Sequence, residues 1–210
     1  MINSVMKQEG EEMKNEKPEA VDEHAGIGMN GHILIRDKET GEELVNKRNA
    51  IHYGNMARVV ALALKNADNE YINFIAYGSG GTSVDTSGKV LYKNPRVSES
   101  FDASGSLYNR THEKSFTTQD DNNKIEVIQG ASYSDLKITS TLGYAEPSGQ
   151  ELFDTSTDNE GDYVFDELGL FTNASDINDA TMLTHVIFHP VQKSQNRIIE
   201  IVYTVRIQLS

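Results

Sequence analysis

Residues 197–209 read RIIEIVYTVRIQL, and the alternation in this stretch decides the fold class. Ile199, Ile201, Tyr203, Val205, Ile207 and Leu209 fall on one face of an extended chain, and Glu200, Thr204, Arg206 and Gln208 on the other. Ile198 and Val202 interrupt the polar face with apolar side chains. A strand with apolar residues on both faces near its start belongs in the middle of a sheet.

Working outward, the chain is strand-rich. YINFIAYG (71–78), KIEVIQG (124–130), DLKITSTLG (135–143), DYVFDELGLFT (162–172) and MLTHVIFHP (182–190) are short β-prone runs, punctuated by Gly, Asn, Asp, Ser and Pro. GHILIRDKETGEELVNKRNA (31–50) reads as a hairpin turning at Gly41, with its second strand over Glu42–Asn46. One helix is expected over 51–66, with Asn49 as its N-cap. Ile51, Val59, Leu62 and the nearby alanines form its apolar face, and Gly54 weakens its first turn. Residues 1–28 differ in kind. They are acidic, poor in apolar side chains and without sustained period, so they read as an extended arm outside the core, either flexible or ordered against a partner. Ile2, Val5 and Met6 are its apolar anchors. The expectation is a mainly β, antiparallel β-sandwich-like domain over 29–210, with one amphipathic helix near its N-terminal side. Polar loops over about 78–95 and 143–162 are long enough to serve as docking surfaces.

Composition narrows the function. The formal net charge of -13, with no dense basic run, works against a phosphate backbone, so direct nucleic-acid binding is not expected. The longest apolar stretch, MARVVALALKN from Met56, falls well short of the roughly 20 residues of a membrane span. The N-terminus has acidic residues where a signal peptide carries its apolar run. The chain contains no cysteine, hence neither disulfides nor thiolate ligands, as suits a reducing cytosol.

The motifs that suggest chemistry fail on spacing. AYGSGGTS (76–83) is a glycine-rich loop after a strand, but six residues separate Gly81 from Gly88 and Lys89, and Val90 stands where a Ser or Thr is needed. The G-x-G-x-x-G alternative has Ser83 at its third glycine position. These glycines are instead expected to permit positive φ or the close approach of a neighbouring backbone. His185 and His189 have the spacing of a helical zinc pair. On a strand that spacing separates them by about 13 Å, so they read as two half-exposed histidines. DTSTDNEGD (154–162) lacks the register of a calcium loop, and no G-x-S-x-G elbow supports a Ser-His-Asp triad. No cofactor, metal or catalytic residue is assigned.

One ordered set of short patterns stands out. DELGLFT (166–172), a gap, and MLTHVIFHPVQKSQNRIIEIVYTVRI (182–207) resemble the C-terminal half of structural proteins from bacteriophage tails and related virion parts. The resemblance rests on Glu167, Leu168, Gly169, Leu170 and Phe171, then Phe188, Pro190 and Lys193, then the strand over 198–209. TGEEL (40–44), NKRNAIHYGNMARVVALAL (46–64) and IAYGSGG (75–81) fit the same theme, whereas residues 84–160 carry no part of it. The resemblance implies a non-enzymatic virion component from a tail, baseplate, neck or fibre-attachment position. Such a protein is made in the host cytoplasm, is present as a homo-oligomer or in multiple copies, and binds other virion proteins. Expected assembly contacts are Ile2, Val5, Met6, Tyr77, Gly78, Gly80, Gly81 and Tyr144. The alternatives are a capsid-surface decoration protein and a carbohydrate- or receptor-binding module. The module would use Tyr77, Tyr92, Tyr108, Tyr133 and Tyr144.

Overall fold

The computed structural model describes residues 26–144, 146–148 and 164–209. Ile2, Val5, Met6 and most of the 143–162 loop lie outside the described residues. The chain forms β1 (Ile27–Asp37), β2 (Glu43–Arg48), β3 (Ala50–Ile51), α1 (Tyr53–Leu64), β4 (Ile72–Gly78), β5 (Thr82–Val84) and β6 (Val90–Tyr92). These are followed by β7 (Arg110–Ser115), β8 (Asn123–Gln129), β9 (Tyr133–Leu142), β10 (Val164–Thr172), β11 (Met182–Gln192) and β12 (Ile199–Leu209).

The strands make two five-stranded antiparallel sheets, ordered β2-β1-β12-β9-β8 and β3-β11-β10-β4-β7, and a small β5-β6 hairpin. The protein is thus mainly β and β-sandwich-like, with a single α-helix among the described residues. β12 lies centrally between β1 and β9, as its two-sided apolar start predicts. Its inward residues Ile199, Ile201, Tyr203 and Val205 join Ile33, Ile35 and Ile138 of the first sheet. They pack against Ile75, Tyr77, Leu168, Leu170, Val186 and Phe188 of the second. Burying each of these side chains is worth about 1.5–3 kcal/mol. The core ends at Val205, and Ile207 beyond it is exposed, so β1 and β12 extend past the sandwich.

Two tyrosines tie the sheets together. The Tyr77 hydroxyl donates to Ser140 Oγ across the core at 2.8 Å. The Tyr203 hydroxyl meets the side chains of Thr184 and Asn49. Burial pushes both hydroxyls well above the ordinary tyrosine range, which keeps them protonated as hydrogen-bonding groups.

The β1–β2 hairpin turns at Gly41, whose φ of +76° favours glycine. Asp37 shapes that turn. Its carboxylate accepts from the Thr40 and Glu39 amides and pairs with Arg197, and those bonds, the Thr40 amide foremost, bring its pKa down to about 2.

Several boundaries differ from the sequence reading. Ile27 and Gly28, assigned to the arm, are the first residues of β1. The helix spans Tyr53–Leu64 rather than 51–66, because Ala50 and Ile51 pair with His185 and Thr184 as β3. Asn49 therefore cannot cap it. The N-cap is His52, whose Nδ1 accepts from the Asn55 amide at 3.3 Å, while Asn49 donates to Tyr203. β7 and the β5-β6 hairpin lie in polar stretches without a readable apolar period. β11 continues through Pro190 by means of a register irregularity.

Ile138→Ala removes a side chain with no solvent exposure from the centre of the sandwich. We expect a loss of about 2–5 kcal/mol in chemical denaturation, with the fold retained by circular dichroism.

Candidate functional site

The chemically richest part of the molecule is the outer face of the second sheet, where residues 79–109 cover β10 and β11. Two consecutive carboxylates, Asp166 and Glu167, point into this cover. Adjacent residues of a regular strand face opposite ways. Here the register slips between Phe165 and Glu167, leaving Asp166 unpaired and turning it to the same side as its neighbour.

Glu167 is fully buried. Its Oε1 accepts from the backbone amides of Gly80 (3.1 Å) and Asn109 (2.8 Å). Its Oε2 accepts from the Tyr108 amide (3.0 Å) and from His185 Nε2 (2.9 Å). Burial alone pushes the carboxyl up. The bonds from His185 and the Tyr108 and Asn109 amides outweigh it and hold the group below its ordinary value near 4.5. His185 is itself completely buried, and its Nδ1 accepts from the Arg96 amide at 2.8 Å. That acceptor role places the ring proton on Nε2, aimed at Glu167. Asp166 grips the next residues of the loop. It accepts from the Gly81 amide (2.8 Å) and from the Thr82 amide (2.7 Å) and hydroxyl (2.5 Å).

This arrangement explains the glycine-rich loop. Its amides face anions, but the anions are the chain's own carboxylates. Positive φ plays no part at Gly78, Gly80 or Gly81, since Gly41 and Gly88 are the glycines with that geometry among the described residues. Space is the reason. A Cβ on Gly78 would lie 2.6 Å from the Asn109 carbonyl, and one on Gly80 would lie 2.7 Å from the Asn109 amide nitrogen and Tyr108 Cβ. Lys93 closes the loop through the Gly80 carbonyl at 2.6 Å and lies over the Tyr108 ring, which Arg96 also approaches.

A cleft of about 230 Å³ beside the cover brings together His52, Asp102 and Ser104. They do not form a relay. Ser104 Oγ donates directly to the Asp102 carboxylate at 2.7 Å, and His52 Nδ1 caps α1. Burial pushes the His52 pKa down. Asn55 locks this region, exchanging hydrogen bonds with the Asp102 backbone and donating to the Met182 carbonyl. Among the described residues, no three His, Asp or Glu side chains converge as metal ligands, and no helix is long and apolar enough to cross a membrane.

The expected contact residues separate into two groups. Tyr77 is 1% exposed and belongs to the core, so it offers nothing to a partner. Gly78, Gly80 and Gly81 are packing positions under the cover. Tyr144 is half exposed, with its hydroxyl donating to Glu39 Oε1 at 2.6 Å. Of the two histidines expected to be half exposed, only His189 reaches the surface, where it meets the Tyr92 hydroxyl at 3.1 Å. The sequence reading missed the joint role of Asp166 and Glu167. Its signal was visible as two consecutive carboxylates inside an otherwise apolar run.

No protein-family model matches the chain, and no curated protein or solved structure is significantly similar to it.

Glu167→Ala removes the acceptor of three backbone amides and of the buried His185 ring, and should cost about 3–5 kcal/mol. Amide exchange should accelerate at Gly80, Tyr108 and Asn109 before it does in β12. The Glu167 pKa is lower in the folded state, so its contribution is complete above the unfolded value and disappears as pH falls through the folded one. Denaturation titrations below about pH 4.5 should show this loss in the parent protein and a flatter profile in Glu167→Gln.

Proposed function

We propose that this chain is a non-enzymatic structural component of a bacteriophage virion, from its tail, baseplate or neck, acting through protein–protein interfaces. The observation that carries the reading is a division between the inside of the molecule and its surface. The convergent ionisable groups, Asp166, Glu167 and His185, are engaged in holding the cover to the sheet. Large apolar side chains stand at the surface instead, among them Leu64, Tyr53 and Val127. Contiguous exposed apolar surface is characteristic of docking. The virion assignment itself comes from the ordered patterns around Glu167–Phe171, Phe188–Lys193 and the final strand. These support it by resemblance.

A second reading is a carbohydrate- or receptor-binding module displayed on the particle. It is favoured by a polar basin of about 400 Å³ on the outer face of the first sheet, lined by Asn30, His32, Arg48, Thr204, Arg206 and Gln208. Arg206 is pre-positioned there by two 2.8 Å bonds to Asp135 and by stacking over Tyr133.

Mass spectrometry of purified particles should find this chain at a fixed copy number, and a glycan array should find no saturable binding. Specific glycan binding that is lost in Arg206→Ala would replace the structural reading with the second one.

A further inference from the structure

β1 begins in the wall of an apolar groove of about 370 Å³. Ile27 and Met29, at the overhanging end of β1, line one side of it. Tyr53, Ala57, Val60, Ala61 and Leu64 of α1 line the other. The helix has a buried side as well, where Met56 and Val59 pack with Ile51 and Leu183, so the groove residues form a second apolar stripe. Leu64 is 85% exposed and Tyr53 59%. The residues lining the groove are all uncharged. Residues 1–25 join the described chain at Gly26, directly beside this wall.

We propose that the groove is the docking site of the chain's own N-terminal segment, with Ile2, Val5 and Met6 as the side chains that fill it. These three stand at i, i+3 and i+4, the spacing with which a short segment presents anchors to a hydrophobic groove. They also precede Glu9, the first acidic residue of the chain, so the anchors can be buried while the charges beyond them stay in water. Residues 1–25 carry seven acidic residues against three lysines. Neither α1 nor residues 26–36 contain an acidic residue, and Lys65 directly follows the Leu64 end of the helix. An acidic segment therefore meets no like charge along either wall.

Connectivity selects this occupant over a free one. Met6 and Gly26 are about 20 residues apart, and an unstructured connection of that length averages about 25 Å end to end. α1, with 12 residues, is about 18 Å long, so the anchors reach any point of the groove without stretching the chain. A tether matched to its span holds its end at an effective concentration on the order of millimolar. A separate chain at micromolar concentration would have to bind about a thousandfold more tightly to displace it. A tethered segment is also exempt from the roughly 800 Å² per partner that a stable bimolecular interface buries. Val127, on the edge strand β8, lies outside the groove and keeps its exposure for the contacts of the assembly reading, on which this inference does not depend.

Because the chain has no cysteine, disulfide trapping in the full chain reads the docking directly. In Val5→Cys/Ala57→Cys the second thiol lies in the groove, and in Val5→Cys/Ala63→Cys it lies on the same helix, also exposed, but outside the groove. Mild oxidation at low protein concentration should close the 5–57 disulfide within one chain at least tenfold faster than the 5–63 disulfide. Adding Ile2→Asp and Met6→Asp should slow 5–57 closure to the 5–63 rate. The circular dichroism spectrum should be retained, since both positions precede β1. Equal rates for the two pairs, or a 5–57 rate indifferent to the aspartates, overturns the proposal by showing that the segment only collides with the helix. A 5–57 disulfide formed between chains, at a rate that rises with protein concentration, also overturns it, in favour of a second copy in the groove. None of these results decides the virion assignment, which depends on particle composition.

Discussion

A carboxylate placed in the middle of a sheet must be given donors, and Glu167 is the residue around which this requirement organises the molecule. An isolated buried charge costs several kcal/mol or changes its protonation state. Glu167 instead collects four donors, three from the backbone of the covering segments and one from His185 on the neighbouring strand. Those donors come from residues far apart in the chain, so the carboxylate acts as a long-range fastener. Asp166, turned to the same side by a bulge, fixes the adjoining residues Gly81 and Thr82. The irregular cover over the second sheet is held by these charge-assisted hydrogen bonds and by the packing of Leu107 with Ala76, Phe171 and Met182, whereas the sandwich beneath it is held by apolar packing.

The two faces of the second sheet thus both bury apolar side chains, and the outer one adds a carboxylate network. Its inner face packs Leu168, Leu170, Val186 and Phe188 against the first sheet, with Tyr77 and Tyr203 adding hydrogen bonds across the core. Its outer face carries Glu167, His185 and the glycines that let loop backbone come close. The glycine-rich loop exists for that approach, and its anion-facing amides are satisfied within the chain.

The residues behind the phage resemblance acquire physical roles in this setting. Glu167 is the fastener. Leu168, Leu170 and Phe188 are core, Lys193 is buried, and Pro190 sits where the β10–β11 register shifts. The pattern is one of fold-determining positions on a single antiparallel strand pair followed by a central strand. It concerns how such a body is built, since these positions lie in the core and the carboxylate network and not on the exposed surface.

Periodicity in the chain by itself determined the mainly β class, the central place of β12, the Gly41 hairpin and the presence of one helix, because alternation and turn chemistry are local properties. It left open where the helix starts, since pairing of Ala50 and Ile51 with β11 overrides the capping preference of Asn49. It did not reveal β7, whose polar residues Arg110–Ser115 become a strand only by hydrogen bonding to β4. The convergence of Asp166 and Glu167 on the glycine loop, with His185 behind Glu167, was likewise invisible. Tertiary structure decided it, because a bulge must first rotate one carboxylate and non-local amides must then arrive to solvate both.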